Sequence, residues 1–246
     1  MMRCMSTASN GLAARLKDAT HELHRQAERS GLMAEMMQGR ISRETYCLLL
    51  RNLQPIYAAL EAGLDAHHPT DPNVQRLWQP ELRRLAALEQ DLEYLHAGAD
   101  WHRDLPVLAA AAEYAERLER LARTDPVLLL PHAYLRYLGD LHGGQMLARI
   151  VRQCFGIHGE LGTAFYAFGD GDAQLLERLK REFRAGLDAL VLAQEQADAA
   201  VGEACEGFRL HARLFKEMQR DVPRTPSDVF TVNQGQPPSN SYESMT

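Results

Sequence analysis

Apolar residues along this chain recur at intervals of three and four, the spacing that gathers them on one face of an α-helix. No stretch shows the convincing period-two alternation of a half-buried strand. The pattern predicts helices over residues 10–29, 42–66, 81–96, 105–122, 126–155, 172–195 and 196–220. Turn chemistry separates them. Ser9 or Asn10 is a candidate cap for the first, and Pro55 predicts a kink inside the second. "TDPNV" (Thr70 to Val74) and "TDPVLLL" (Thr124 to Leu130) share one form, an Asp cap followed by Pro at the first helical position. "GIHGELGTAFYAFGDGD" (Gly156 to Asp172) is too rich in glycine for a helix and reads as a connection. The fold class is therefore all-α, a single-domain helical bundle over residues 11–220. Residues 1–10 are expected to be a flexible N-terminus. Residues 221–246, rich in Pro, Ser, Asn and Gln, are expected to be a disordered polar tail.

Composition narrows the class. A chain of 246 residues with 46% hydrophobic content can bury one substantial core. A formal net charge of −6 argues against a general nucleic-acid binder, whose usual footprint is basic. The N-terminal stretch lacks the apolar core of a signal peptide, and no apolar run nears the eighteen or so residues of a membrane anchor. Cys4, Cys47, Cys154 and Cys205 lie far apart with no CxxC pair, as expected of free thiols in a reducing cytoplasm.

Two stretches carry candidate chemistry. In "LKDATHELHRQAE" (Leu16 to Glu28), Lys17, His24 and Glu28 are spaced by seven and four, so they project from one side of the first helix. A neutral imidazole is a good iron ligand, and such ligands commonly have a partner at the other ring nitrogen, a place Glu28 can fill. Lys17 can meet an anion along the same face. His21, three residues before His24, is a rival ligand that spacing does not exclude. The second stretch is "YLRYLGDLHGGQMLARIV" (Tyr134 to Val151), an apolar helical pattern interrupted by Gly139, Gly143 and Gly144. Each glycine costs a helix interior about 1 kcal/mol relative to alanine. Three within six residues point to a bare strip of backbone against which something flat can lie. Tyr134, Arg136, Tyr137 and Asp140 flank that strip with polar groups, and aspartate is a poor choice inside a helix unless it serves a purpose or faces solvent.

These stretches, with "ALEQDLEYL" (Ala87 to Leu95), "AFYAF" (Ala164 to Phe168) and "KREFRAGLDAL" (Lys180 to Leu190), resemble the single-domain, all-helical, biliverdin-forming heme oxygenases. The resemblance runs in the family's order over about residues 11–220. It implies a heme b group, both substrate and cofactor, sandwiched between a proximal N-terminal helix and a glycine-kinked distal helix. His24 corresponds to the proximal iron ligand and Glu28 to the acid that supports it. Gly139, Gly143 and Gly144 correspond to the distal strip. Lys17, Tyr134 and Arg181 occupy positions that contact the heme propionates, with Lys180 and Arg184 as close rivals of Arg181. Asp140, with Arg136 and Tyr137, would hold water that supplies protons. The implied reaction cleaves heme to biliverdin, carbon monoxide and ferrous iron with dioxygen and external electrons. No motif for a tightly bound flavin or iron–sulfur cluster is present, so a ferredoxin or flavoprotein reductase is the expected donor.

One position departs from the family pattern. A small serine usually precedes the double glycine, whereas this chain has His142, which either points to solvent or a neighbouring helix or serves as a proton donor or a sixth iron ligand at rest; it is expected not to ligate iron in the active form. Two other readings share the scaffold. A non-catalytic heme carrier or sensor has no need of Asp140 beside a bare strip. A thiaminase-like enzyme requires a nucleophilic cysteine, and Cys47, Cys154 and Cys205 lie in apolar contexts that predict burial.

Overall fold

The computed structural model describes residues 11–29, 31–97, 100–169 and 172–221. The expectations for residues 1–10 and for the tail from 222 onward, and the caps at Ser9 and Asn10, lie outside the described residues. The described residues contain helices and turns and no strand. The helices are α1 (Leu12–Glu28), α2 (Gly31–Met37), α3 (Arg43–His67), α4 (Pro72–Leu77), α5 (Leu85–Leu95), α6 (Trp101–Asp104), α7 (Ala109–Thr124), α8 (Leu130–Ala133), α9 (Gly139–Phe155), α10 (Ala173–Asp188) and α11 (Gln194–Asp221). The seven residues of α2 are too few for apolar periodicity to register, and no helix was expected there.

The long helices bury their apolar stripes in one core, in which α3 packs on α5 and α7 and α11 packs on α1, α7 and α8. Leu50, Ile56, Leu60 and Leu64 carry α3 through that core and are fully buried. The helix is continuous across Pro55. Asp71 caps α4 as its sequence predicts, accepting from the backbone N–H groups of Asn73 (2.7 Å) and Val74 (3.2 Å). Asp125 does not repeat this. Its backbone is extended (φ −156°) and its side chain caps nothing, so Pro126–Leu129 forms a tighter 3₁₀ turn instead.

That difference bears on the site. The single helix expected over 126–155 is four pieces in one run: the 3₁₀ turn, α8, a wide π turn over Tyr134–Leu138, and α9. The run ends at Gly156, whose left-handed backbone (φ +62°) favours glycine. The connection that follows is ordered by the Asp91 carboxylate on α5, which accepts from the N–H groups of Ala164 (2.9 Å) and Phe165 (2.8 Å). This links "ALEQDLEYL" to "AFYAF" and fixes a 3₁₀ turn, Ala164–Tyr166, behind α9.

Candidate active site

α1 and the α8–α9 run form the two walls of a cleft of about 710 Å3, within the range of about 300–1,000 Å3 usual for ligand pockets. On α1, Leu16 and Thr20 are turned inward, and the Thr20 hydroxyl donates to the Leu16 carbonyl (2.7 Å). Lys17, His21 and His24 then line the cleft. The His24 ring meets the Phe208 ring of α11 edge-on, with centroids 5.9 Å apart. Glu28 closes α1, and its side chain lies outside the described part of the structure.

On the facing wall, Tyr134, Leu135, Leu138, Gly139 and Gly143 line the cleft. A Cβ added at Gly139 or Gly143 meets nothing within 4 Å, so these two glycines keep a strip of helix bare on the open side. Gly144 serves a different purpose. It is buried, and a Cβ there would sit 3.1 Å from the Tyr166 ring, so its glycine admits the 3₁₀ turn behind the helix. Gly144 therefore belongs to packing and not to the cleft wall that the sequence assigned it.

Charge at the mouth is of one sign. Lys17 and Arg184 line the cleft, and no carboxylate does among the described residues. Arg181 is exposed and off the lining; Arg184, one turn further along α10, takes the place expected of it. Lys180 is paired with Glu177 (2.7 Å). His142 also borders the cleft, with both ring nitrogens engaged. Nδ1 lies 2.6 Å from the Leu138 carbonyl, an acceptor, and Nε2 lies 2.5 Å from Nη2 of Arg184, a donor. These partners require the neutral tautomer with its proton on Nδ1. Burial first, then the nearby Arg184 and Lys180, pull the imidazole's pKa down.

Behind the bare strip is a polar interior. Asp140 is not among the residues lining the cleft, and it accepts a hydrogen bond from the Tyr57 hydroxyl of α3. Burial raises its carboxyl to about 6 against the opposing pull of Arg136, Tyr57 and Arg84. Arg136 donates through Nη1 to Nδ1 of His211 on α11 (3.3 Å), and burial and that guanidinium hold the His211 pKa well below its ordinary value. The Nε of Arg136 and the hydroxyl of Tyr137 are buried with no partner among the described residues. Buried donors of this kind are the usual anchors of ordered water.

A sequence model described as heme oxygenase matches residues 10–217 of this chain. The chain belongs to the heme oxygenase family. It is 34% identical over 214 residues to heme oxygenase 1 of the cyanobacterium Synechocystis, covering 87% of each chain. It is 35% identical over 219 residues to human heme oxygenase 1, covering 88% of this chain and 75% of that one. The fold agrees. The crystal structure of the Synechocystis heme oxygenase-1 in complex with heme superposes with a TM-score of 0.79 at 33% identity, over 86% of this chain and 93% of that one. The heme oxygenase of Leptospira interrogans superposes with the same TM-score at 29% identity, over 85% and 100% of the two chains. This heme oxygenase is thus an oxidoreductase that cleaves heme to biliverdin, carbon monoxide and iron.

In this heme oxygenase Lys17, His24, Tyr134, Gly139 and Gly143 meet in one cleft, and Arg136, Tyr137 and Asp140 lie together off its lining. Tyr57 and His211, which the sequence did not point to, reach Asp140 and Arg136 from helices distant in the chain and carry no local signal. The cysteines differ from expectation too: Cys47 is buried, whereas Cys154 and Cys205 are half-buried. Burial pushes the Cys47 thiol up to about 11, which leaves little nucleophilic thiolate at neutral pH. Among the described residues, no helix is long and apolar enough to cross a membrane.

Proposed function

We propose that heme b lies in the cleft between α1 and α9, with its iron on His24, its plane against Gly139 and Gly143, and its propionates toward Lys17, Tyr134 and Arg184. The observation that carries this reading is the pairing of an imidazole on one wall with a side-chain-free strip on the other. A cationic mouth supports it further, since two carboxylates at one edge of a flat ligand need counter-charge. Bound heme supplies the redox chemistry; the chain orients it and manages protons. Gly139 and Gly143 allow close approach of the backbone and leave no acid side chain over the bound face. Asp140, held by Tyr57 and balanced by Arg136, keeps water ordered and passes protons toward the cleft. A carboxyl with a pKa of about 6 exchanges protons readily near neutral pH.

Dioxygen is the oxidant, and electrons come from a separate ferredoxin or flavoprotein reductase. A cytoplasmic setting fits free thiols at Cys47, Cys154 and Cys205. Ferric heme titrations distinguish His24 from its neighbour His21. His24→Ala should abolish the histidine-ligated absorption and EPR spectrum, with recovery on adding imidazole, while His21→Ala should leave it intact. Unchanged coordination in His24→Ala would overturn the assignment.

A further inference from the structure

We propose that His142 is a positioning residue that clamps Arg184 and thereby decides how heme is rotated within the cleft. The proposal rests on the heme-binding reading above. Heme is nearly symmetric about the normal through its iron, and its two carboxylates are the main feature that distinguishes one edge. Whatever holds those carboxylates selects the meso carbon that faces the bare strip. Of the two cationic side chains lining the cleft, Lys17 rides on a flexible stem, and its charge is compact and freely rotating. Arg184 is held.

The manner of holding matters. Two other cations of α10 are neutralised by acids: Arg178 pairs with Glu81 (3.4 Å) and Glu182 (3.1 Å), and Lys180 with Glu177 (2.7 Å), while Arg181 is exposed and off the cleft. Arg184 forms no ion pair among the described residues, and its partner is the uncharged Nε2 of His142 (2.5 Å). The imidazole is itself pinned, because its Nδ1–H donates to the Leu138 carbonyl one turn earlier (2.6 Å). A neutral acceptor fixes the guanidinium in direction yet leaves its full charge, and its remaining donors, for a carboxylate. A glutamate in the same place would fix it and cancel it. The clamp also occupies the one lone pair through which His142 could ligate iron.

Protonation of Nε2 would turn the acceptor into a donor and set a cation against Arg184. Lys180 lies on the same side with Glu177 as the opposing acid, and Lys17, His21 and His24 face the cleft from α1. The clamp is therefore closed at neutral pH and opens in acid.

The test compares wild type with His142→Ala, His142→Gln, Arg184→Gln and the His142→Ala/Arg184→Gln double variant. Heme-methyl resonances of the cyanide-bound ferric complexes count the seatings, and heme transfer to apomyoglobin gives the dissociation rate. Wild type should show one dominant seating at neutral pH and a second on acidification. His142→Ala should show both seatings at every pH, with heme loss about three- to tenfold faster, the scale of a charge-assisted hydrogen bond near the surface. Arg184→Gln should match it, and the double variant should be no worse than Arg184→Gln. His142→Gln, whose amide oxygen reaches the acceptor position, should restore a single seating. A wild-type resonance pattern and off-rate in His142→Ala, additive effects in the double variant, or loss of a low-spin bis-histidine signature in His142→Ala would each overturn the proposal. The underlying heme reading fails separately, if the wild-type protein takes up no stoichiometric heme.

Discussion

Replacing Asp140 with asparagine should strengthen the heme-free fold at neutral pH while weakening the reaction. Burial lifts the carboxyl from its ordinary 3.8 to about 6, even with Arg136, Tyr57 and Arg84 favouring the charged form. At 1.36 kcal/mol per tenfold, keeping this side chain ionised at pH 7 costs the native state about 3 kcal/mol. The folded pKa lies above the unfolded one, so the stabilising effect of protonation is complete only below about pH 4 and is lost as the pH rises through 6. Asparagine has nearly the same shape, stays neutral throughout, and retains an oxygen to accept from the Tyr57 hydroxyl. Its amide nitrogen finds less welcome company beside Arg136, which reduces the gain to about 1–3 kcal/mol. For a chain of this size that raises Tm by roughly 2–10 °C at pH 7.5. The advantage falls to about half by about pH 5. Thermal melts followed by circular dichroism between pH 4.5 and 8 measure this, alongside aerobic biliverdin yield, which should drop. A variant that melts below wild type at pH 7.5, or a difference that does not narrow in acid, would refute a desolvated carboxylate as the cause.

Four further outcomes follow from the geometry. Gly139→Ala and Gly143→Ala should each stabilise the heme-free fold by about 0.5–1 kcal/mol, because their Cβ atoms meet nothing, yet weaken heme binding in titrations. Gly144→Ala should instead lower Tm, since the Tyr166 ring at 3.1 Å must give way, at a cost of about 1–3 kcal/mol. Arg184→Gln should reduce heme affinity about tenfold in equilibrium titrations, the scale of one charge-assisted contact, while Arg181→Gln leaves it unchanged. Burial alone would raise the Glu203 carboxyl, but bonds from Arg117 (both 2.6 Å) and His132 (2.8 Å) bring it down to about 2. Glu203→Gln should therefore destabilise by about 3 kcal/mol at pH 7, and melts should show the gap narrowing below about pH 4, because a lowered carboxyl contributes its stability above the unfolded pKa and loses it as the pH falls toward 2.

The long helices were legible because amphipathic spacing is a local property: α3, α7 and α11 announce their buried faces within a few turns of chain. The division of labour on the distal helix was partly legible for the same reason. At about 100° per residue, Gly139, His142 and Gly143 fall on one half of the helix and Tyr137 and Asp140 on the other, whereas Arg136, seven residues before Gly143, falls at the boundary. Which half meets the ligand was not written there, because it depends on what packs behind. That partner is Tyr166, brought up by Asp91 on α5 through two backbone hydrogen bonds. The π turn over Tyr134–Leu138 left no mark in composition, since a one-residue change in hydrogen-bond register uses the same residue types as an α-helix. Arg181 and Arg184 illustrate the limit most sharply. They lie one turn apart on α10, both exposed and equal in charge and reach, and what singles out Arg184 is its place on the cleft lining and the approach of His142 from α9. Local pattern thus specifies what each helix has to offer, whereas the choice among equivalent offers is made by contacts between helices. The residues that make those choices here, Tyr57, Asp91, His142 and Tyr166, are where substitution should separate binding geometry from the stability of the bundle.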